Sequence, residues 1–178
     1  MRNLVVSCII MLLTTILFAQ EEKDSSKMDR FVSRAGKMIR YYQYSLPDLK
    51  GSFETCEAKV RKMEILSEEE AYFFQITKTD KYSTKTASIA YEDVLEVIKA
   101  FGNLQVESIK DVNTDADYME NKFVTDDGFQ VGYYVSKGKV QWYLTLEKYG
   151  KSTIFISFPK INLAFDGAKK KIEELMES

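Results

Sequence analysis

The sequence predicts an α+β protein: an antiparallel β-sheet built as meanders, in two strand-rich halves that are each followed by an amphipathic helix packed on the sheet. Three observations lead to this prediction. Apolar residues alternate over several segments of strand length, most clearly between Tyr118 and Phe158. In two other segments they recur at every third or fourth position, as on one face of a helix. Glycine-containing dipeptides separate the alternating segments by the short distances typical of hairpins.

The N-terminus has the layout of a secretory signal peptide. Arg2 precedes the apolar run Leu4–Phe18, which ends at Ala19 before a charged segment. This run is shorter than the roughly 18 residues of a membrane-spanning helix, so we expect cleavage after Ala19 and no membrane span after cleavage. Lipoprotein-type cleavage before Cys8 is a less favoured alternative, because it would leave too short an apolar segment for export.

Cleavage would divide the chain into three parts. Residues 1–19 are the predicted signal peptide. Residues 20–27 are polar and charged and are expected to form a flexible tether. Residues 28–178 have the size of one domain, and we expect them to form a single α+β domain.

The first half is predicted to begin with a short helix, Met28–Ala35, that ends at Gly36. Four strands follow. Pro47, Asp48 and Gly51 are expected to form the turn between the first two strands. The predicted strands are Lys37–Leu46, Phe53–Leu66, Ala71–Thr79 and Thr84–Ala90.

The second of these strands has an irregular apolar pattern. Cys56 and Val60 share one face of an extended chain, whereas Met63 lies on the opposite face. A change of parity within a strand indicates a bulge, which we place near Arg61-Lys62.

Helical spacing follows the fourth strand. Apolar residues in Tyr91–Phe101 form one stripe, and Glu92 and Asp93 suit the positive end of a helix dipole. Gly102-Asn103 is the predicted end of this helix, and Gln105–Lys110 is then a candidate edge strand.

The second half repeats the order of strands and helix. Asp127-Gly128, Lys137-Gly138 and Tyr149-Gly150 are the predicted turns of a meander, because glycine readily adopts the positive φ of tight hairpins. Pro159 opens the second amphipathic helix. The alternating apolar residues of the meander are Phe129, Val131, Tyr133, Val135, Val140, Trp142, Leu144, Leu146, Ile154, Ile156 and Phe158.

The composition excludes several kinds of catalysis and partner. The chain has no histidine, so Ser/His/Asp and Cys/His nucleophile systems and imidazole metal centres are impossible. Cys56 is the only cysteine outside the predicted signal peptide, which excludes cysteine-cluster metal sites in one chain. We predict no catalytic residues and no cofactor. The formal net charge of −2 also argues against nucleic acid as a partner.

One acidic segment resembles part of a calcium-binding loop. Asp111, Asn113 and Asp115 offer oxygen ligands at alternate positions. Ala116 stands where the loop needs glycine, and Lys122 stands where a bidentate glutamate should close the site. The calcium loop is therefore incomplete, and a solvated acidic turn is the favoured interpretation.

The candidate binding residues are three tyrosines and a glutamine. Tyr134 and Tyr143 lie opposite the apolar alternation, near Gly132 and Gln141, and Tyr42 lies in the tyrosine-rich first strand. Flat amphipathic rings that share one outer sheet face would form a platform for a glycan or an extended peptide. The alternative is that these tyrosines simply suit half-buried strands.

Two segments resemble small exported proteins of the Bacteroidetes. They are ASIAYEDVLEVIKAFGNL (Ala87–Leu104) and KFVTDDGFQVGYYVSKGKVQWYLTLEKYG (Lys122–Gly150), and the export signal ends LFAQ. The likeness covers roughly two thirds of the chain that follows the signal. It implies an exported protein, periplasmic or at the cell surface of a Gram-negative bacterium, and it implies no catalytic residue, cofactor or substrate.

These observations favour a non-enzymatic binding or accessory module of the cell envelope whose partner is a protein, a peptide or a glycan. The alternative function is a carboxylate-dependent hydrolase or transferase acting in the periplasm. Such an enzyme would need two acidic groups with opposed pKa shifts in one cleft.

Overall fold

The computed structural model describes residues 25–34, 36–66, 69–148 and 152–178. The predicted signal peptide and residues 20–24 of the predicted tether lie outside these ranges. Ser26 and Lys27, at the end of that tether, lie at the start of the first helix.

The protein is an α+β fold built of antiparallel meanders, as the sequence predicted, but the meanders form two four-stranded sheets instead of the single sheet expected. Each meander is followed by a helix. The strands of the first sheet are β1 (Ile39–Lys50), β2 (Thr55–Ile65), β3 (Glu69–Thr79) and β4 (Thr84–Ala90). Those of the second sheet are β5 (Tyr118–Val124), β6 (Gln130–Ser136), β7 (Lys139–Thr145) and β8 (Thr153–Phe155).

Three helices complete the described residues: α1 (Lys27–Val32), α2 (Tyr91–Asp111) and α3 (Phe158–Met176). The Ser26 side chain accepts a hydrogen bond from the backbone N–H of Asp29, whose carboxylate in turn accepts from Ser26, so α1 begins with a capping box. None of the described helices is long and apolar enough to cross a membrane.

A single aromatic residue of α3 lies where both sheets and α2 meet. The Phe165 ring contacts Phe74 of β3, Phe101 of α2 and Phe129 before β6, at centroid distances of 5.2, 5.3 and 5.8 Å. Phe165 is fully buried in a core cluster to which both sheets and both long helices contribute. The two halves therefore share one apolar interior.

The bulge predicted near Arg61-Lys62 is wrong, because β2 pairs with both neighbours there without a register shift. The apolar residues change face because both faces of the first sheet are covered. Val60 lies on the face toward α3, whereas Met63 lies on the opposite face, where Phe31 of α1 packs against it.

The irregularity in this sheet lies in β1 instead. The register shifts between Leu46 and Leu49, so the predicted turn residues Pro47 and Asp48 lie within a bulged strand. Proline has no N–H to donate, and an edge strand tolerates it at such a bulge. Gly51 follows the strand, in the connection to β2.

Helix α2 is much longer than predicted: it has 21 residues, whereas the predicted helix ended at Phe101. The predicted stop at Gly102-Asn103 and the predicted strand Gln105–Lys110 are wrong, since α2 continues through both to Asp111. Leu104 and Ser108 continue its buried stripe, and this packing outweighs the low helix propensity of glycine.

Two of the three predicted turns of the second meander are confirmed. Gly128 has φ +87°, and Lys137 and Gly138 have φ +52° and +69°, as in a two-residue hairpin with positive φ at both positions. The third predicted turn, Tyr149-Gly150, lies outside the described residues.

Candidate binding site

The outer face of the second sheet carries a groove of about 320 Å³. The inner face of this sheet supplies core residues such as Val131 and Leu144, so the alternate residues point away from the core. Residues that are paired across the strands form rows on the outer face. One row is Val124, Gln130, Thr145 and Thr153; the next is Lys122, Gly132, Tyr143 and Phe155; a third is Glu120, Tyr134 and Gln141.

Gly132 forms the floor of the groove. Tyr143 lies opposite Gly132 on β7, and its hydroxyl donates a hydrogen bond to Glu120 on β5, the strand beyond β6. The Tyr143 side chain therefore crosses β6 at the position where β6 has no side chain. Tyr143 is 5 % exposed, and its burial and its bond to Glu120 raise the pKa of its phenol.

Three aromatic rings form the wall of the groove. The rings of Tyr118 and Tyr134 stack at 5.7 Å with an interplanar angle of 25°. Phe155 meets Tyr134 edge to face at 6.3 Å. These rings therefore form a continuous aromatic surface from β5 to β8.

Uncharged polar groups lie along the row beside the floor. The Oγ1 atoms of Thr145 and Thr153 are 3.2 Å apart and hydrogen-bonded to each other. Gln130 lines the groove beside them, and its side-chain amide has no hydrogen-bond partner among the described residues. An amide and two hydroxyls are thus available to orient a ligand.

The charged groups of the groove are largely paired with one another. Glu120 accepts the Tyr143 hydrogen bond and lies 3.6 Å from Lys122 Nζ. Lys148 also lines the groove. Glu120 is the only carboxylate among its described lining residues, and these therefore do not include the acidic pair of a carboxylate-dependent hydrolase.

The structure brings together only some of the predicted binding residues. Tyr134 and Tyr143 both line the groove. Gln141 lies on the same face next to Tyr134, but it is outside the groove lining and its amide donates to the Trp142 carbonyl. Tyr42 lies on β1 in the other sheet, where its hydroxyl donates to Glu64 at 3.3 Å.

Sequence reasoning missed Tyr118, Phe155 and Gln130 as members of this surface. The alternation of outward residues along β5 and β6 was a usable signal for Tyr118 and Gln130. The signal for Phe155 was weaker, because β8 has only three residues. Phe155 lies beside Tyr143 only because β8 pairs with β7.

The incomplete calcium loop lies at the end of α2. Asp111 accepts a hydrogen bond from the Tyr133 hydroxyl, and the backbone N–H of Asn113 donates to Lys110. Asp115 is exposed. Among the described residues, no cluster of three or more histidine, cysteine, aspartate or glutamate side chains is arranged to hold a metal ion.

Cys56 is a free thiol that lies fully buried in the core. Desolvation and the nearby charge of Glu54 raise its pKa to about 11. The thiolate, which is the reactive form, is therefore disfavoured, and Cys56 packs as a small apolar side chain.

Comparisons with known proteins add nothing to this geometry, because no protein-family model, no curated protein and no solved structure matches the chain.

Proposed function

We propose that this protein is an exported, non-enzymatic binding module of the cell envelope, and that the groove on the outer face of the second sheet is its binding site. The observation that carries the proposal is the continuous surface of Tyr118, Tyr134 and Phe155 beside the Gln130 amide and the hydroxyl pair of Thr145 and Thr153. Ligand sites combine aromatic contact area with a few polar groups that fix orientation. The proposed partner is a peptide, a protein or a glycan of the envelope.

The same surface makes the alternative, a carboxylate-dependent hydrolase or transferase, the less favoured function. Acid and base catalysis by carboxylates needs a pair of acidic groups, one on each side of the reacting bond. The described groove lining offers Glu120 alone, and that carboxylate already accepts the Tyr143 hydrogen bond.

Binding through the groove is tested with the exported protein, labelled with ¹⁵N, and fractions of envelope glycans and envelope proteins. We expect at least one fraction to shift the amide resonances of Gln130, Tyr134 and Thr145. Tyr134→Ala should remove these shifts. Tyr82→Ala is the matched control, because Tyr82 lies 88 % exposed between β3 and β4, outside the groove.

Two outcomes contradict the proposal. One is that no fraction shifts any groove resonance. The other is that Tyr134→Ala and Tyr82→Ala bind equally well.

Export is tested separately by mass spectrometry of the secreted material, which is expected to begin at Gln20. A secreted chain that retains residues 1–19 would contradict the predicted cleavage.

A further inference from the structure

We propose that the ligand of the groove is an uncharged saccharide, one sugar ring of which packs against the edge-to-face pair Tyr134 and Phe155 while its hydroxyls bond to Gln130 and the threonine pair. This inference rests on the proposed function and names its ligand class. Three features of the groove support it: its charge, its position on a sheet face, and its division into an aromatic and a hydroxyl-binding side.

The charge of the groove favours an uncharged ligand. Glu120 lies 3.6 Å from Lys122 Nζ and also accepts the Tyr143 hydrogen bond. A charged ligand would have to compete with these internal partners. The groups without such partners are neutral, above all the Gln130 amide.

The position of the groove disfavours an extended peptide. The groove lies on the face of the sheet, where the backbone groups between neighbouring strands are already paired with each other; only the outer sides of β5 and β8 are strand edges. A peptide gains most of its affinity from main-chain hydrogen bonds when it adds to a free strand edge. On the sheet face its own N–H and C=O groups would lose water without gaining backbone partners.

The two sides of the groove match the two kinds of surface on a sugar ring. The C–H groups of a sugar form an apolar patch that packs on a flat aromatic ring, and Tyr134 and Phe155 supply such rings. Sugar hydroxyls need both donors and acceptors at the edge of the ring. Gln130 supplies both through its amide, and Thr145 and Thr153 supply hydroxyls.

The volume limits the saccharide to a short segment. A groove of about 320 Å³ lies at the lower end of the size range of small-molecule sites. A longer glycan would therefore place only a short segment in the groove and leave the rest in solvent.

The test is calorimetric titration of the exported protein with uncharged tetrasaccharides of glucose, xylose, mannose and N-acetylglucosamine. An uncharged peptide of serine, alanine and glycine and a tetramer of galacturonic acid serve as comparison ligands. We expect saturable binding of at least one uncharged tetrasaccharide. Tyr134→Ala should weaken it roughly tenfold or more, whereas Tyr134→Phe, which keeps the ring, should stay within about threefold.

A second variant tests the hydroxyl-binding side. Gln130→Ala should weaken binding about fivefold, the loss expected when one net hydrogen bond is removed. Tyr82→Ala is the control that keeps wild-type affinity. All variants are first compared by circular dichroism, so that a folding defect is not mistaken for a binding defect.

The failures of the two proposals are distinguishable. Binding of the peptide but of no saccharide overturns the saccharide inference and leaves the binding module intact. Tighter binding of the galacturonic acid tetramer than of any neutral sugar overturns the uncharged class. Saccharide binding that Tyr134→Ala does not change overturns the assignment to this groove. No binding by any probe overturns the saccharide inference, and the envelope-fraction experiment then decides the function.

Discussion

At the scale of single residues, Gly132 shapes the groove. A Cβ atom at this position would lie 2.4 Å from the Asn121 carbonyl oxygen and 2.6 Å from Lys122 Cβ, so any side chain would force β5 and β6 apart. The absence of a side chain at Gly132 also leaves room for Tyr143 to reach Glu120. One missing side chain thus produces both the close strand pairing and the floor of the groove.

Tyr133, the neighbour of Gly132 on β6, makes the stability of the protein depend on pH in the alkaline range. Tyr133 is fully buried on the inner face of β6, where it donates to Asp111 and accepts from Asn121 Nδ2 at 3.2 Å. Burial, followed by its bond to Asp111, raises its pKa to about 12. Because the unfolded chain loses this proton near pH 10, the stabilisation is complete below about pH 10 and is lost as pH rises through about 12.

Tyr133→Phe should therefore reduce the loss of stability at alkaline pH. We expect the wild type to lose about 1 to 2 kcal/mol more than the variant between roughly pH 10 and 12. Urea unfolding across this range measures the difference. Tyr82→Phe, at an exposed position, is the control with the wild-type profile. Parallel profiles for wild type and Tyr133→Phe would show that this phenol is not responsible.

At the scale of elements, α2 shows how packing overrides a local stop signal. Gly102 and Asn103 are typical of helix ends, yet Phe101, Leu104 and Ser108 continue one buried stripe through them. Helices in proteins derive most of their stability from such packing. The glycine is therefore a weak point inside the helix and not its end.

Gly102→Ala should stabilise the protein. A Cβ atom at this position would meet nothing within 4 Å, and alanine has the higher helix propensity. The expected gain in the free energy of unfolding is about 0.5 to 1 kcal/mol, measured by urea titration. Gly128→Ala is the contrasting variant: its φ is +87° and its Cβ would lie 2.3 Å from Lys148 Cβ, so it should destabilise. A loss of stability in Gly102→Ala would contradict this account of α2.

At the scale of the whole molecule, the two halves are joined by one core. Each half alone is a four-stranded meander with one helix, but Phe165 of the second half packs on Phe74 and Phe101 of the first. Residues of both sheets share the same buried cluster. We therefore expect the halves to unfold together.

Phe165→Ala tests this shared core. The variant should lose about 3 to 5 kcal/mol of stability, the range for removing a large buried ring, and should keep a single unfolding transition at a lower temperature. Calorimetry measures both quantities. Leu163→Ala on the same helix is the control, because Leu163 is 73 % exposed, and it should change stability by no more than about 0.5 kcal/mol. Two separate transitions in the wild type would contradict a shared core.

Much of this architecture was predictable from the sequence because its signals are local. Alternating apolar residues identified the meanders, and positive φ at Gly128 and Gly138 matched the predicted hairpins. The change of face between Val60 and Met63 in β2 was also visible in the sequence. Its cause was not, because a sequence pattern does not show that α1 covers the second face of that sheet beside Met63.

The sequence by itself determined the α+β class, the order of most strands and helices, and the outward direction of Tyr134 and Tyr143, since periods of two and of 3.6 residues are properties of a local segment. The tertiary structure decided which faces are covered, how far α2 runs, and that Tyr118 and Phe155 join Tyr134 while Tyr42 lies on the other sheet. These outcomes depend on pairing and packing between residues distant in the chain, and local periodicity carries no information about such contacts.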